Sequence, residues 1–171
     1  MPFDEGSFSC PLISEMPDKS HRTAITRKTI SKPAKWLDGA GYLQGRVLDY
    51  GCGRGGDAEW LGCEGYDPYY FPERPVGPFT TIMCNYVLNV VESECERRAI
   101  LTRIDTLLGE KGHAYITVRN DSSALKGYTS TGTWQGRIVL GLPVVHRRAG
   151  YVTYIMSKGC SDCSMKSVTV E

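Results

Sequence analysis

The clearest periodicity in this chain lies between Ser93 and Gly109. Apolar residues recur there every three or four positions, at Ile100, Leu101, Ile104, Leu107 and Leu108. This spacing predicts an amphipathic helix that buries one face. A capping box, Ser93-x-x-Glu96, marks where the helix begins, and Gly109 marks where it ends.

Shorter β-prone segments lie on both sides of this helix. They cover residues 46–50, 63–66, 79–84 and 113–118, and, near the C-terminal end, 137–140, 144–147 and 151–156. A second helix is predicted to begin at Ser31-Lys32-Pro33 and to end at Gly39, and a brief helical piece follows the first strand. Strands that alternate with helices and end in a β-rich segment predict an α/β fold, with a mostly parallel sheet and antiparallel C-terminal strands.

The segment between Asp67 and Phe79 has only eleven residues, four of which are prolines. A helical crossover needs about a dozen residues by itself. We therefore expect the sheet to be shortened at its third-strand edge. We predict a single domain over residues 21–158, a mobile lead-in over 1–20 and a flexible tail over 159–171.

Composition excludes several classes of protein. With 20 basic and 19 acidic residues, a net charge of +1 and 41% hydrophobic residues, the chain is neither disordered as a whole nor a highly basic DNA-packaging protein. No apolar run approaches the roughly 20 residues of a membrane span, and the first residues lack the features of a signal peptide. We expect a cytoplasmic protein with no membrane partner.

The charges are nevertheless unevenly distributed. Residues 17–37 and 119–158 each carry a net charge of +5, and residues 57–118 carry −5. Basic segments around an acidic middle are usually solvated surface, but they also fit a groove for an anionic substrate. They favour, weakly, a nucleic acid or another anionic acceptor as the partner.

The cysteines do not indicate a disulfide framework or a metal site. Their number, seven, is odd and they are widely spaced, so we expect reduced thiols. Only Cys160 and Cys163 form a C-x-x-C pair, and no second pair stands near enough to complete a zinc site. The sequence predicts no bound metal.

The segment with the most chemical information follows the first predicted strand. Gly51, Gly53 and Gly56 satisfy G-x-G-x-x-G, a pattern that nucleotide-binding and methyl-donor-binding sheets share. Asp49 lies two residues before the first of these glycines, where a carboxylate would repel a pyrophosphate. It favours a cationic ligand such as S-adenosylmethionine, which has an ammonium and a sulfonium. Asp67, which ends the second predicted strand, can bind the ribose hydroxyls.

These residues resemble the first motif and the second-strand acid of the class I S-adenosylmethionine-dependent methyltransferases. The resemblance implies a Rossmann-like sheet and S-adenosylmethionine as the cofactor. It also predicts which residues border the donor: Asp49, Gly51, Cys52, Gly53, Asp67, Pro68 and Asn85.

A closer resemblance, to the DNA-phosphorothioation-associated methyltransferase family, spans about residues 21–92. It rests on five segments: H-R-T-A-I-T-R at 21–27, S-K-P at 31–33, V-L-D-Y-G-C-G-R-G at 47–55, Y-D-P-Y-Y at 66–70 and N-Y-V-L-N-V-V-E at 85–92. This family implies a methyl-donor fold, but it does not settle which molecule is methylated.

Candidate acceptor-side residues lie just past the strand ends. Asn85 and Tyr86 are the first candidates for the catalytic role, and packing in a loop is an equal alternative for both. Asn89 and residues 119–121 are further candidates at the same edge. Cys84 fits a small buried thiol better than a nucleophile.

The three histidines differ in what their positions predict. His113 begins a predicted strand away from the ligand edge and is interpreted as structural, and His146 is interpreted as a surface residue. His21 lies in a basic lead-in that, by resemblance, folds over the site.

Two other functions stay open. A nicotinamide-dependent oxidoreductase would use the same glycines, but Asp49 and the short chain argue against it. A non-catalytic module that keeps the donor pocket is the second alternative. Donor binding tests the first alternative, and donor turnover tests the second.

Overall fold

The computed structural model describes residues 19–121, 126–160 and 169–170. Its elements, in chain order, are a 3-10 helix at Lys19–Thr23, α1 (Lys32–Gly39), β1 (Val47–Tyr50), α2 (Gly56–Leu61), β2 (Glu64–Tyr66), β3 (Phe79–Asn85), a 3-10 turn at Leu88–Val90, α3 (Glu94–Leu107), β4 (Leu108–Arg119), β5 (Lys126–Tyr128), β6 (Trp134–Gly136), β7 (Ile138–Val139), β8 (Val144–Arg148), β9 (Tyr151–Ser157) and β10 (Thr169–Val170).

Six strands form one sheet in the order β2-β1-β3-β4-β9-β8. Strands β2, β1, β3 and β4 are parallel, whereas β9 is antiparallel to both β4 and β8. The predicted mostly parallel sheet with antiparallel C-terminal strands is confirmed. Because β1, β2 and β3 are parallel neighbours, their carboxyl ends meet at one edge, the edge where open α/β sheets bind ligands.

The predicted shortening of the sheet is also confirmed. Between β2 and β3 the chain forms neither a helix nor a strand, apart from a single bridge between Asp67 and Phe71. Strand β2 is therefore the edge of the sheet.

The two longer helices begin where the sequence indicates. The Ser31 side chain accepts a hydrogen bond from the Ala34 amide at the start of α1, and Ser93 accepts one from the Glu96 amide at the start of α3. Each serine therefore satisfies an amide that has no partner within its helix.

The helices pack on opposite faces of the sheet. On the α3 face, Leu101 and Ile104 join a large apolar cluster with Ile82 and Ile116. On the other face, Ala34 and Leu37 of α1 pack against Met83 and Tyr115. In the part of the chain that the structure describes, no helix combines the length and apolar character that a membrane crossing requires.

Two boundary predictions around α3 are wrong. The helix ends at Leu107, and Gly109 already lies within β4. His113, expected to begin its strand, lies inside β4 because Leu108 pairs with Phe79 and a register shift follows. Pairing with β3 thus extends β4 beyond the segment that local propensity indicates.

A hairpin formed by β5 and β6 was not predicted from the sequence. The two strands have only three residues each and include polar residues and glycines. Such segments give no clear alternation.

Of the cysteines in the described residues, Cys52, Cys63, Cys84 and Cys160 have free thiols. Cys95 is disulfide-bonded, so the expectation that all seven are reduced is wrong at this position. Spacing along the chain does not tell which sulfur atoms the fold brings together. Cys163 of the C-x-x-C pair lies outside the described residues. So do the predicted lead-in and tail, except for residues 19–20, 159–160 and 169–170.

Candidate functional site

A cavity of about 690 Å³ lies at the carboxyl edge of the sheet. Its walls come from the ends of β1, β2 and β3, from the glycine-rich loop that follows β1, from the first half of α3 and from residues 20–27. We call the segment Lys19–Arg27 the strap; it lies alongside the glycine loop.

The seven residues predicted to border the donor and the two first candidates for the catalytic role, one of which belongs to both sets, all line this one cavity. They are Asp49, Gly51, Cys52, Gly53, Asp67, Pro68, Asn85 and Tyr86. The fold brings them together because they follow three parallel strands that end at the same edge. The role of each residue remains a prediction.

The glycine loop needs its glycines for a steric reason. Gly51 has a φ of +78°, and a Cβ atom built there would lie 2.3 Å from Val87 Cγ2. A larger residue would strain the backbone and collide with Val87. The amides of Gly51 and Cys52 both donate to the Tyr66 carbonyl, at 2.7 and 3.0 Å, which fixes the loop to the end of β2.

Asp49 is a buried acid without a partner. Its side chain is 3% exposed, and none of the described residues donates a hydrogen bond to it. Burial, together with the nearby carboxylates of Asp57 and Asp67, raises the pKa of Asp49 to about 8. A buried carboxylate in an acidic environment is stabilised by a cation. The site therefore fits the positive groups of S-adenosylmethionine.

Asp67 holds the loop together and still has acceptor capacity. Its Oδ1 accepts hydrogen bonds from the amides of Tyr69 and Tyr70, at 2.9 and 3.0 Å, and its Oδ2 accepts one from the Gly53 amide at 3.1 Å. An ionised carboxylate has about four acceptor positions, so Oδ2 can accept one more hydrogen bond. This geometry fits one sugar hydroxyl.

Asn85 and Tyr86 are both unusual at the end of β3. The side-chain nitrogen and oxygen of Asn85 are buried and form no hydrogen bond with any of the described residues, which is costly unless a ligand pairs with them. Tyr86 has a φ of +63°, rare for a bulky residue. Its amide donates to the Thr117 carbonyl at 2.8 Å, and its ring meets the Tyr151 ring edge-on.

The phenol of Tyr86 is protonated at neutral pH. Burial and the neighbouring Tyr151 raise the pKa of Tyr86 to about 12, although the positive charges of Arg27 and Arg119 oppose this rise. Tyr86 can therefore donate a hydrogen bond to an acceptor molecule, but it is a poor general base.

The thiols near the cavity are unreactive. Burial, followed by the charges of Asp49 and Asp67, raises the pKa of Cys52 to about 12. Cys84 is fully buried, and burial raises the pKa of its thiol as well. Since the thiolate is the nucleophile, neither cysteine is poised to attack an acceptor.

The three histidines have different environments. His113 donates to or accepts from the Ser157 hydroxyl at 3.1 Å, and His146 stacks on Trp36 with ring centroids 3.9 Å apart. Neither of them lines the cavity. His21 does line it, and it belongs to the strap.

The strap lies against the segment that follows β2. The His21 ring stacks on the Tyr69 ring at 4.1 Å, and the Tyr70 hydroxyl donates to the His21 carbonyl at 3.3 Å. Sequence reasoning singled out His21 but missed the strap's other cavity residues, including Arg27, because nothing local tells which side of the chain faces the ligand.

A second contact that sequence reasoning missed connects the start of α1 with α2. The Ser31 amide donates to Asp57 Oδ1 at 2.7 Å, and the Ser31 hydroxyl donates to Oδ2. Both oxygens of Asp57 are thus engaged. The helix-cap signature at Ser31 was visible in the sequence, but its distant partner was not.

The remaining acceptor-side candidates bond to other parts of the chain and do not line the cavity. Asn89 donates to the Gly136 carbonyl at 2.7 Å and accepts from the Arg119 amide at 2.8 Å. Arg119 forms an ion pair with Asp121 at 2.7 Å, and Asn120 donates to the Arg148 carbonyl. Among the described residues, none from 119–158 lines the cavity.

A further part of the cavity, next to α3, was not predicted. Tyr50 and Tyr66 pack their rings 5.0 Å apart on this side, and the Arg103 charge opposes the burial-driven rise in the pKa of Tyr50. The Nε atom of Arg103 is buried without a hydrogen-bond partner. Among the described residues, His, Cys, Asp and Glu side chains form no group of three or more suited to a metal ion.

Residues 13–157 match the model of a family described as a methyltransferase domain. A comparison with curated proteins returned no match.

Three solved structures have the same fold. The chain covers 89% of a TehB-like SAM-dependent methyltransferase from Corynebacterium glutamicum, with 76% of this chain aligned, 19% identity and a TM-score of 0.50. It covers 79% of 1,6-didemethyltoxoflavin-N1-methyltransferase from Burkholderia thailandensis, with 83% of this chain aligned, 17% identity and a TM-score of 0.50. It spans about half (54%) of the S-adenosylmethionine-dependent methyltransferase SibL, with 75% of this chain aligned, 10% identity and a TM-score of 0.51.

Proposed function

Because the chain belongs to the methyltransferase domain family, we propose that it transfers a methyl group from S-adenosylmethionine to an acceptor held at the carboxyl edge of the sheet. The observation that carries this proposal is Asp49, a buried and unpartnered carboxylate beside the glycine loop. It offers the ammonium of the donor a charge-assisted hydrogen bond. Asp67 Oδ2 offers an acceptor to a ribose hydroxyl.

S-adenosylmethionine supplies the methyl group: a lone pair of the acceptor forms the new bond to the methyl carbon, the carbon–sulfur bond breaks, and the sulfur keeps the electrons of that bond. The protein's task in such a displacement is mainly alignment. The Asn85 amide can bind an acceptor N–H or carbonyl group, and the Tyr86 phenol can donate to an acceptor oxygen or nitrogen. Because Tyr86 stays protonated, a proton lost by the acceptor goes to water.

Titration calorimetry with S-adenosylmethionine and S-adenosylhomocysteine tests the donor site. We expect micromolar binding that Asp49→Ala abolishes and that Asp67→Ala weakens. Asp38→Ala is the matched control, because Asp38 is an exposed acid that does not line the cavity. If neither ligand binds the folded protein, the proposal is wrong.

For the acceptor, we propose a nucleic acid as the first class to test. Two features support this choice: the resemblance of residues 21–92 to the DNA-phosphorothioation-associated methyltransferase family, and three exposed cavity-lining bases, Arg27, Arg54 and Arg74. Transfer of label from methyl-labelled donor to DNA, to RNA and to a small-molecule extract compares the classes directly. Label in the small-molecule fraction alone contradicts the nucleic-acid proposal.

A non-catalytic S-adenosylmethionine-binding module is the second candidate. It is favoured by the arrangement after β4, where Arg119 and Asp121 pair with each other and leave the acceptor side of the cavity to Asn85 and Tyr86. Donor binding without label transfer to any fraction would support this candidate over the enzyme.

A further inference from the structure

The strap lies alongside the glycine loop and the start of α2. At one end, Ala24 Cβ lies 3.0 Å from the position of a Cβ built on Gly53. At the other end, Arg27 Cβ lies 3.8 Å from a Cβ built on Gly56. A larger residue at position 53 would press against Ala24 and would be strained at a φ of +54°. The strap therefore forms part of the wall around the region that the loop encloses.

Arg27 is a cation without an anion. Its side chain is exposed and lines the cavity, and no acid among the described residues pairs with it. Asp57, which follows Gly56 in α2, already accepts two hydrogen bonds from Ser31. Arg27 and Tyr86 line the same cavity, and the positive charge of Arg27 opposes the rise in the pKa of the Tyr86 phenol.

Among the described residues, Asp49 and Arg27 are thus an acid and a base that line the same cavity beside the glycine loop and have no partner of opposite charge. The amino-acid end of S-adenosylmethionine has an ammonium and a carboxylate on a single carbon atom. If Asp49 binds the ammonium, the carboxylate is held close to it and needs a cation. A guanidinium is well suited, because it can donate two parallel hydrogen bonds to a carboxylate.

We infer that Arg27 on the strap binds the carboxylate of the methyl donor; this inference rests on the proposed function. Of the other cavity-lining arginines, Arg54 lies over the Tyr70 ring at 5.1 Å and Arg103 lies on the α3 side near Tyr50. Arg74 belongs to the proline-rich segment between β2 and β3 and not to the strap. The strap is then part of the donor site and does more than cover an acceptor.

The test compares ligands with and without the carboxylate. Titration calorimetry measures S-adenosylhomocysteine and 5′-methylthioadenosine, which lacks the amino-acid end, against the wild type, Arg27→Met and Lys28→Met. Lys28 is the neighbouring exposed base and does not line the cavity. We expect Arg27→Met to weaken S-adenosylhomocysteine binding by about 10- to 100-fold, the range of a lost charge-assisted hydrogen bond. Binding of 5′-methylthioadenosine should change less than about twofold, and Lys28→Met should change neither.

Each outcome identifies what has failed. If the wild type binds neither ligand, the proposed function fails and the inference fails with it. If the wild type binds S-adenosylhomocysteine and Arg27→Met binds it equally well, the inference alone is wrong. If Arg27→Met weakens the binding of both ligands to the same extent, Arg27 shapes the strap and does not bind the carboxylate. The same comparison is repeated with Arg27→Gln, which keeps a polar side chain of similar reach.

Discussion

Replacing Asp49 with Asn is expected to stabilise the ligand-free protein while it abolishes donor binding. Asn has nearly the shape of a protonated Asp, but it cannot acquire a negative charge. In the wild type, the carboxylate at this position is buried next to Asp57 and Asp67, and its pKa is about 8 instead of the ordinary 3.8. The folded protein therefore holds a proton on Asp49 at pH values where the unfolded chain has lost it.

This difference sets the sign of the pH dependence. An acid whose pKa is raised in the folded state contributes stability at low pH, and that contribution is lost as the pH rises from the unfolded value toward the folded value. A rise of about four pKa units corresponds to roughly 6 kcal/mol over the full range. Of these roughly 6 kcal/mol, about 4 kcal/mol are lost between pH 5 and pH 9, because most of the range between the unfolded and folded pKa values lies above pH 5.

Thermal unfolding of both proteins at pH 5, 7 and 9, without ligand, measures this effect. The free energy of unfolding of Asp49→Asn minus that of the wild type should grow by about 4 kcal/mol from pH 5 to pH 9, which corresponds to about 10 °C in Tm for a domain of this size. Comparing the two proteins cancels the contributions of titrating groups that do not interact with Asp49. If the difference in Tm is the same at all three pH values, Asp49 is not a desolvated carboxyl group and the reasoning is refuted.

Donor binding provides a second readout of the same group. The ammonium of the donor needs the carboxylate form, so binding below pH 8 releases the proton from Asp49. The affinity should rise about tenfold for each pH unit between pH 6 and pH 8. Calorimetry in two buffers of different ionisation enthalpy should detect close to one proton released at pH 7. An affinity that does not change over this range would contradict the proposed role of Asp49.

Two further substitutions test the loop and the start of α1. Gly51→Ala should destabilise the protein by about 1–3 kcal/mol more than Gly62→Ala and should abolish donor binding. Both glycines have a positive φ, but only the substitution at position 51 places a Cβ against Val87. Equal urea midpoints for the two variants would argue against this steric explanation. Ser31→Ala should lower the free energy of unfolding by about 2 kcal/mol, since it removes a helix cap and a hydrogen bond to Asp57. An unchanged urea midpoint would show that the contact between α1 and α2 contributes nothing to stability.

The sequence by itself determined the class of fold and predicted residues for the donor site that the fold brings into one cavity. The β-prone segments predicted the strands and the helical periodicity predicted α3. The short proline-rich segment after Asp67 predicted the shortened sheet, because a crossover helix cannot fit in eleven residues. Asp49 and the glycines were recognisable because the reasons for them are local. A carboxylate before a glycine turn attracts a cation, and a tight turn needs positive φ.

Only the tertiary structure decided which distant groups complete the site. The strand pairing extended β4 to Leu108, and the fold placed the strap along the glycine loop and left Asn85 buried without a hydrogen-bond partner. The same packing engages Asn89 with the hairpin and Asn120 with the end of β8, and neither they nor Arg119 and Asp121 line the cavity. Burial and neighbouring charge depend on contacts between residues far apart in the chain. Local pattern has no access to them, and the pKa of Asp49 and the unpartnered state of Arg27 both follow from such contacts.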